Sequence, residues 1–91
     1  MGMDLFSVSG TSGISYNWTA WRWLIGKLNE WGVDTSEFTD HNDGDRISAD
    51  TCRAVADALE AHIDEIDDLE TREFYREGIQ AWRECNGFRQ W

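Results

Sequence analysis

Six apolar residues at helical spacing, Trp18, Trp21, Leu24, Ile25, Leu28 and Trp31, constrain the fold of this chain more than any other feature. At about 100° per residue they fall on one arc, the mark of a helix that buries a single face. The spacing predicts a helix over residues 18–31. Asn17 stands where an N-cap belongs, and Gly32 where a helix stops. Trp23 lies off the arc, beside Lys27 and Glu30, so the pattern cannot bury it. Proline is absent from the 91 residues, which leaves further helices uninterrupted.

A second helix is expected over residues 48–69, capped by Ser48. Cys52, Val55, Leu59, Ile63 and Ile66 form its apolar stripe, and Asp57, Glu60, Asp64, Asp67 and Asp68 a second stripe about 120° away. A third is expected over residues 71–85, with Phe74, Tyr75, Gly78, Trp82 and Cys85 facing inward and Asn86-Gly87 as the stop. Its flanks are sorted by sign: Arg72, Arg76 and Arg83 on one side, Glu73, Glu77 and Glu84 on the other. Near the start, Phe6 and Val8, then Ile14 and Tyr16, alternate around a Gly/Ser-rich turn and predict two short strands. Residues 88–91 can run extended and pair with the first strand. Residues 33–47 are a polar loop anchored by Val33, Phe38 and Ile47. The expected fold is therefore α+β and mostly helical: three helices and a small antiparallel sheet from the N- and C-terminal segments. Without repeats or a linker, residues 1–91 form one compact domain.

Charge narrows the function. Eighteen acidic against eight basic residues give a net charge of −10. Between Glu60 and Glu73 stand seven carboxylates, one arginine and one histidine. Such a surface repels nucleic acid and anionic membrane and attracts basic protein surfaces or cations. No apolar run approaches the ~18 residues of a membrane span, and the start lacks the basic and long apolar regions of a signal peptide. A cytoplasmic protein is expected. Cys52 and Cys85 are too few for a disulfide framework and read as two buried thiols.

The acid stripe has three readings. It is a solvated helix face; or Arg72, Arg76 and Arg83 neutralise part of it within the fold; or it docks on a basic protein. Acids recurring about every 3.5 residues repeat near 5 Å along a helix axis, close to the phosphate spacing of a nucleic-acid strand. The third reading makes Asp57, Glu60, Asp64, Asp67 and Asp68 partner-binding residues and admits nucleic-acid mimicry. Trp18, Trp21 and Trp31 are expected in the core. Trp23 is the candidate aromatic anchor, because tryptophan is enriched among interface hot spots; packing under the Gly/Ser turn is its plainer role.

Other chemistry is thinly supported. Asp40, Asn42, Asp43 and Asp45 resemble a calcium loop, but no register sets acids and Gly44 as an EF-hand requires, so an Asn/Asp/Gly turn accounts for them and a weak cation module is the alternative. His41, Cys52, His62 and Cys85 lack the short ligand pairs of zinc sites. No nucleophile stands with a marked base, so no catalytic residues and no cofactor are expected.

Several blocks carry a resemblance: Met1-Gly2-Met3-Asp4-Leu5, Tyr16-Asn17-Trp18 with Trp21-Arg22-Trp23-Leu24, Asn42-Asp43-Gly44-Asp45, and Cys85-Asn86-Gly87-Phe88. In these the chain resembles a group of small uncharacterised bacterial and bacteriophage proteins. The resemblance implies a phage or mobile-element setting and carries no known reaction. Together these features point to a small acidic interaction protein without enzymatic activity. In its sharpest form it is a phage-encoded inhibitor of a host nucleic-acid-handling or defence protein; a homo-oligomer joined through its tryptophans is a further alternative.

Overall fold

The computed structural model of the chain describes residues 2–10, 13–40 and 43–91. Among these, the order is β1 (Gly2–Ser7), β2 (Gly13–Asn17), α1 (Trp18–Glu30), β3 (Asp45–Ile47), α2 (Ala49–His62), a 3-10 turn (Ile63–Glu65), α3 (Leu69–Glu84) and β4 (Phe88–Gln90). The four strands make one antiparallel sheet ordered β2-β1-β4-β3. The expected α+β class is therefore present, with the C-terminal strand paired to the first.

The caps follow the sequence. The Asn17 side chain accepts from Ala20 N at 2.8 Å, and Ser48 Oγ from Thr51 N at 3.3 Å. Gly32 at φ +84° ends α1, and Asn86 and Gly87, both at positive φ, end α3. Side chains alternate across β1, with Met3, Leu5 and Ser7 buried and Asp4 and Phe6 exposed. One sheet face therefore receives the helices and the other meets solvent. The core joins Met3, Leu5, Tyr16, Ile47 and Phe88 of the sheet to Trp21, Leu24 and Leu28 of α1, Cys52, Val55 and Leu59 of α2, and Tyr75 and Trp82 of α3. Fully burying one such large side chain contributes about 1.5–3 kcal/mol. Gly78 lets α3 close on β2: a Cβ there would stand 2.8 Å from Ile14 Cδ1 and 3.1 Å from Tyr16 Oη. Both buried indoles find acceptors, Trp82 donating to Tyr16 Oη at 3.0 Å and Trp21 to the Thr39 carbonyl at 2.7 Å.

Three expectations are corrected. The loop over residues 33–47 ends in a strand, β3, whose Ile47 pairs with Phe88. The second helix ends at His62 rather than continuing to residue 69. Ile63 and Ile66 stay buried through a 3-10 turn, the Arg72 guanidinium binds the freed Ile66 carbonyl at 2.8 and 3.0 Å, and Asp68 starts α3 by accepting from Thr71 N at 2.9 Å. A continuous helix would have stacked carboxylates three and four residues apart near its negative C-terminal end; the break instead places Asp68 as the cap at the positive start of α3, with Glu70 in its first turn. Third, Phe74 is 40% exposed rather than inward, because the buried arc of α3 runs through Tyr75, Gly78 and Trp82.

Residues 31–44 connect α1 to β3 without regular structure where described, yet are held at several points. Phe38 stacks on Trp21 and Trp82 with ring centroids 5.2 and 5.9 Å apart. The Glu37 carboxylate accepts from Ser48 N at 3.1 Å, from the Ser48 hydroxyl at 2.9 Å and from the Thr51 hydroxyl, closing the start of α2. These bonds, the Thr51 hydroxyl foremost, hold Glu37 below the usual carboxylate range.

Candidate functional site

The acid stripe divides. Arg83 forks between Asp57 at 3.1 Å and Glu60 at 2.6 Å, joining α3 to α2. Arg76 lies 3.8 Å from Asp64 and 3.4 Å from Glu73. Arg72 turns Nε and Nη2 to the Ile66 carbonyl and makes no ion pair with the stripe among the described residues. Two of the three arginines therefore reach the stripe. Exposed pairs of this kind each contribute about 0–1 kcal/mol, but they lower the charge offered to a partner. Asp67 lies in the turn between the 3-10 segment and α3, exposed and with no ion pair among the described residues. Asp68 is the cap of α3. The break at His62 also interrupts the phosphate-like repeat expected along one continuous helix.

A different surface gathers the rest. The starts of α1 and α3 border a groove of about 460 Å³ lined by Thr19, Trp23, Asp68, Glu70, Phe74 and Tyr75, among others. The Trp23 ring stacks on Tyr75 with centroids 4.7 Å apart and planes 26° from parallel. Tyr75 Oη donates to the Ala20 carbonyl at 2.8 Å, which ties the two helices across the groove floor. Burial pushes the Tyr75 phenol up to about 12, so it stays a neutral donor. Phe74 meets Tyr75 edge-on at 5.0 Å. The rim is acidic. Hydrogen bonds from the Thr71 hydroxyl and backbone hold the Asp68 carboxyl below its usual range, so it is charged at neutral pH. Glu70 has no hydrogen-bond or ion-pair partner among the described residues.

Of the sequence-predicted residues, the structure brings Trp23 and Asp68 together at this groove. Asp57, Glu60 and Asp64 lie instead along the α2–α3 seam, within reach of arginines. Sequence reasoning missed Glu70, Phe74 and Tyr75 as groove residues. The Phe74-Tyr75 doublet was the available signal, since adjacent helical residues stand about 100° apart and a narrow buried arc takes only one of two bulky rings. Tyr75 is stacked between Tyr16 and Trp23, and the chain's own Lys27 lies 5.7 Å over the Trp23 ring, so the open aromatic surface beside the carboxylates is Phe74 and the remaining edge of Trp23. Carboxylates beside an aromatic ring suit a guanidinium or ammonium group.

The remaining candidates stay apart. Among the described residues no cluster of three or more His, Cys, Asp or Glu could hold a metal ion. Asn42 and His41 lie outside the described residues, while Asp45 opens β3. Cys52 and Cys85 are free and buried, and burial, with the Cys85 thiol as neighbour, pushes the Cys52 thiol well up. His62 stacks on Trp31 at 4.7 Å and pairs with Glu65. Trp18 and Trp31 are half-buried rather than fully in the core. No described helix is long and apolar enough to cross a membrane. Comparison with protein-family models, with curated proteins and with solved structures found no match.

Proposed function

We propose that this protein is a non-enzymatic interaction protein that docks on a basic surface of another protein, with an arginine or lysine of the partner entering the groove between α1 and α3. The observation that carries this is the groove itself, which half-buried Trp23 and exposed Phe74 line together with the carboxylates of Asp68 and Glu70. A cation over an aromatic ring contributes about 0.5–2 kcal/mol, more as water is excluded. The net charge of −10 steers a basic partner toward the chain. In its sharpest form the chain is a phage-encoded inhibitor and the partner a host protein that handles nucleic acid. Two free buried thiols suit a reducing cytoplasm.

The test is a titration of a labelled arginine-rich peptide followed by anisotropy. Trp23→Ala should weaken binding about tenfold or more, as loss of a hot-spot aromatic does. Asp68→Asn removes charge but keeps an equally good N-cap, so helix loss does not confuse the result. Together with Glu70→Gln it should lower affinity and flatten the salt dependence. Affinity unchanged from low to high salt, or a neutral Trp23→Ala, refutes docking at this groove.

A further inference from the structure

The solvent face of the sheet carries a pattern that the groove does not explain. Six of the eight cations have partners. Lys27, Arg53, Arg76 and Arg83 pair with carboxylates, Arg72 binds a carbonyl, and Arg22 lies over the Trp18 ring. Arg46 and Arg89 are the exceptions: among the described residues neither guanidinium has a hydrogen bond or ion pair. They stand directly opposite each other on β3 and β4, and Phe6 is opposite Arg89 on β1. Like charges directly opposite across an antiparallel pair destabilise it. A chain with eighteen carboxylates nonetheless leaves this pair without one. Asp4, the acid on the same face, is hydrogen-bonded by the Ser15 hydroxyl at 2.6 Å, and Glu37 is committed to the start of α2. Around the arginines, Phe6 is 54%, Trp91 50% and Val8 38% exposed. Aromatic residues with arginine, and little lysine or acid, form the composition of an interface centre.

We infer that this sheet face is a second docking surface, and that it takes an acidic polypeptide segment whose carboxylates Arg46 and Arg89 hold while its apolar side chains lie on Phe6, Val8 and Trp91. Charge complementarity selects the occupant. Two adjacent guanidiniums offer forked donors to carboxylates, and a bound carboxylate relieves their mutual repulsion. The surface is distinct from the α1–α3 groove, so the chain can hold a basic partner at one site and an acidic one at the other.

The probe is a fluorescein-labelled dodecapeptide repeating Glu-Glu-Leu-Leu, which alternates a carboxylate and an apolar side chain on each face of an extended chain. Saturable binding is expected, weakening as salt rises. Arg46→Glu and Arg89→Glu should each reduce affinity about tenfold or more. Arg53→Glu, with the same change in net charge on α2, should reduce it far less. Trp23→Ala should leave it unchanged, which separates this surface from the groove. Arg46→Glu also places opposite charges across the strands, so its urea midpoint should hold or rise while binding falls. No saturation at millimolar peptide, or equal losses in Arg46→Glu and Arg53→Glu, overturns the inference. So does tighter binding of a single-stranded oligonucleotide that the same variants abolish, or a dimer of the free chain that they dissociate.

Discussion

Gln90 is fully buried, and its side chain uses its full hydrogen-bonding capacity. Oε1 accepts from Thr39 N at 2.8 Å and from Thr39 Oγ1 at 3.2 Å; Nε2 donates to the Glu37 carbonyl at 2.9 Å and to the Asp45 carbonyl at 3.3 Å. One amide thus pins the α1–β3 connection to the sheet. Gln90→Leu keeps the volume and removes all four bonds. The Thr39 N–H and the Glu37 carbonyl lose the short bonds, at about 1–3 kcal/mol for each buried group left unsatisfied. The Asp45 bond is long and the Thr39 hydroxyl can rotate, so the expected loss is about 2–4 kcal/mol. That is a large part of the roughly 5–14 kcal/mol available to a domain of this length. Gln90→Glu discriminates further. The carboxylate still accepts from Thr39 but turns an oxygen toward the two carbonyls. Its folded pKa is then raised above the unfolded value. Protonation restores a donor, so the variant recovers stability as pH falls from 7 toward 5 and loses it as pH rises through the folded pKa. Urea denaturation followed by far-UV circular dichroism at both pH values reads this. A Gln90→Leu variant within about 0.5 kcal/mol of the parent, the range of an ordinary surface change, refutes the pinning role. So does a Gln90→Glu variant whose deficit does not depend on pH.

Three further outcomes are expected. Glu37→Gln weakens the closure of α2 and should cost about 0.5–2 kcal/mol at pH 7, as lost caps do. Because Glu37 is held below the usual carboxylate range, its contribution is present above the unfolded pKa and lost as pH falls through the folded one; the gap between parent and variant in urea midpoint should therefore narrow toward pH 3. Tyr16→Phe strands the buried Trp82 indole N–H and should cost about 1–3 kcal/mol, measured by the same melt. Cys52 and Cys85 should resist a thiol reagent in the native protein and react at once in denaturant, since burial keeps Cys52 protonated; rapid native labelling would contradict the packed core.

How far the sequence could be read follows from the range of each signal. α1 was legible because its arc and both ends are local, from Asn17 to Gly32. β1, β2 and β4 were legible as extended pieces around recognisable turns. β3 was not, since three residues with one apolar member acquire strand geometry only from β4. The end of α2 was misread because Leu59, Ile63 and Ile66 keep a helical spacing that a 3-10 turn also satisfies. The Asp68 cap and its Thr71 partner carried the contrary signal. Gln90 gave no sign at all, because a glutamine in a short strand looks exposed until the connection it holds is seen. The groove was half legible. Trp23 stood out as off-arc, but its partner Tyr75 is a tertiary contact that helical periodicity cannot supply.

The break at His62 links the fold to the proposed docking. Continued as a helix, the acid run would have laid Asp64, Asp67 and Asp68 along the same face as Asp57 and Glu60, against a helix dipole that disfavours anions at that end. Breaking the helix gives Asp68 a Thr71 N–H to accept from and sets Glu70 in the first turn of α3, where negative charge is favoured. The same change of direction brings both residues to the groove that Trp23 lines. Arg83 meanwhile ties up Asp57 and Glu60, the stripe's acids on α2. The carboxylates best placed to meet a cation beside an aromatic ring are therefore those at the start of α3, beyond the break. In the proposed docking, a basic partner drawn by the whole charge would be held at Asp68 and Glu70, beside the exposed Phe74 and half-buried Trp23 that line the same groove.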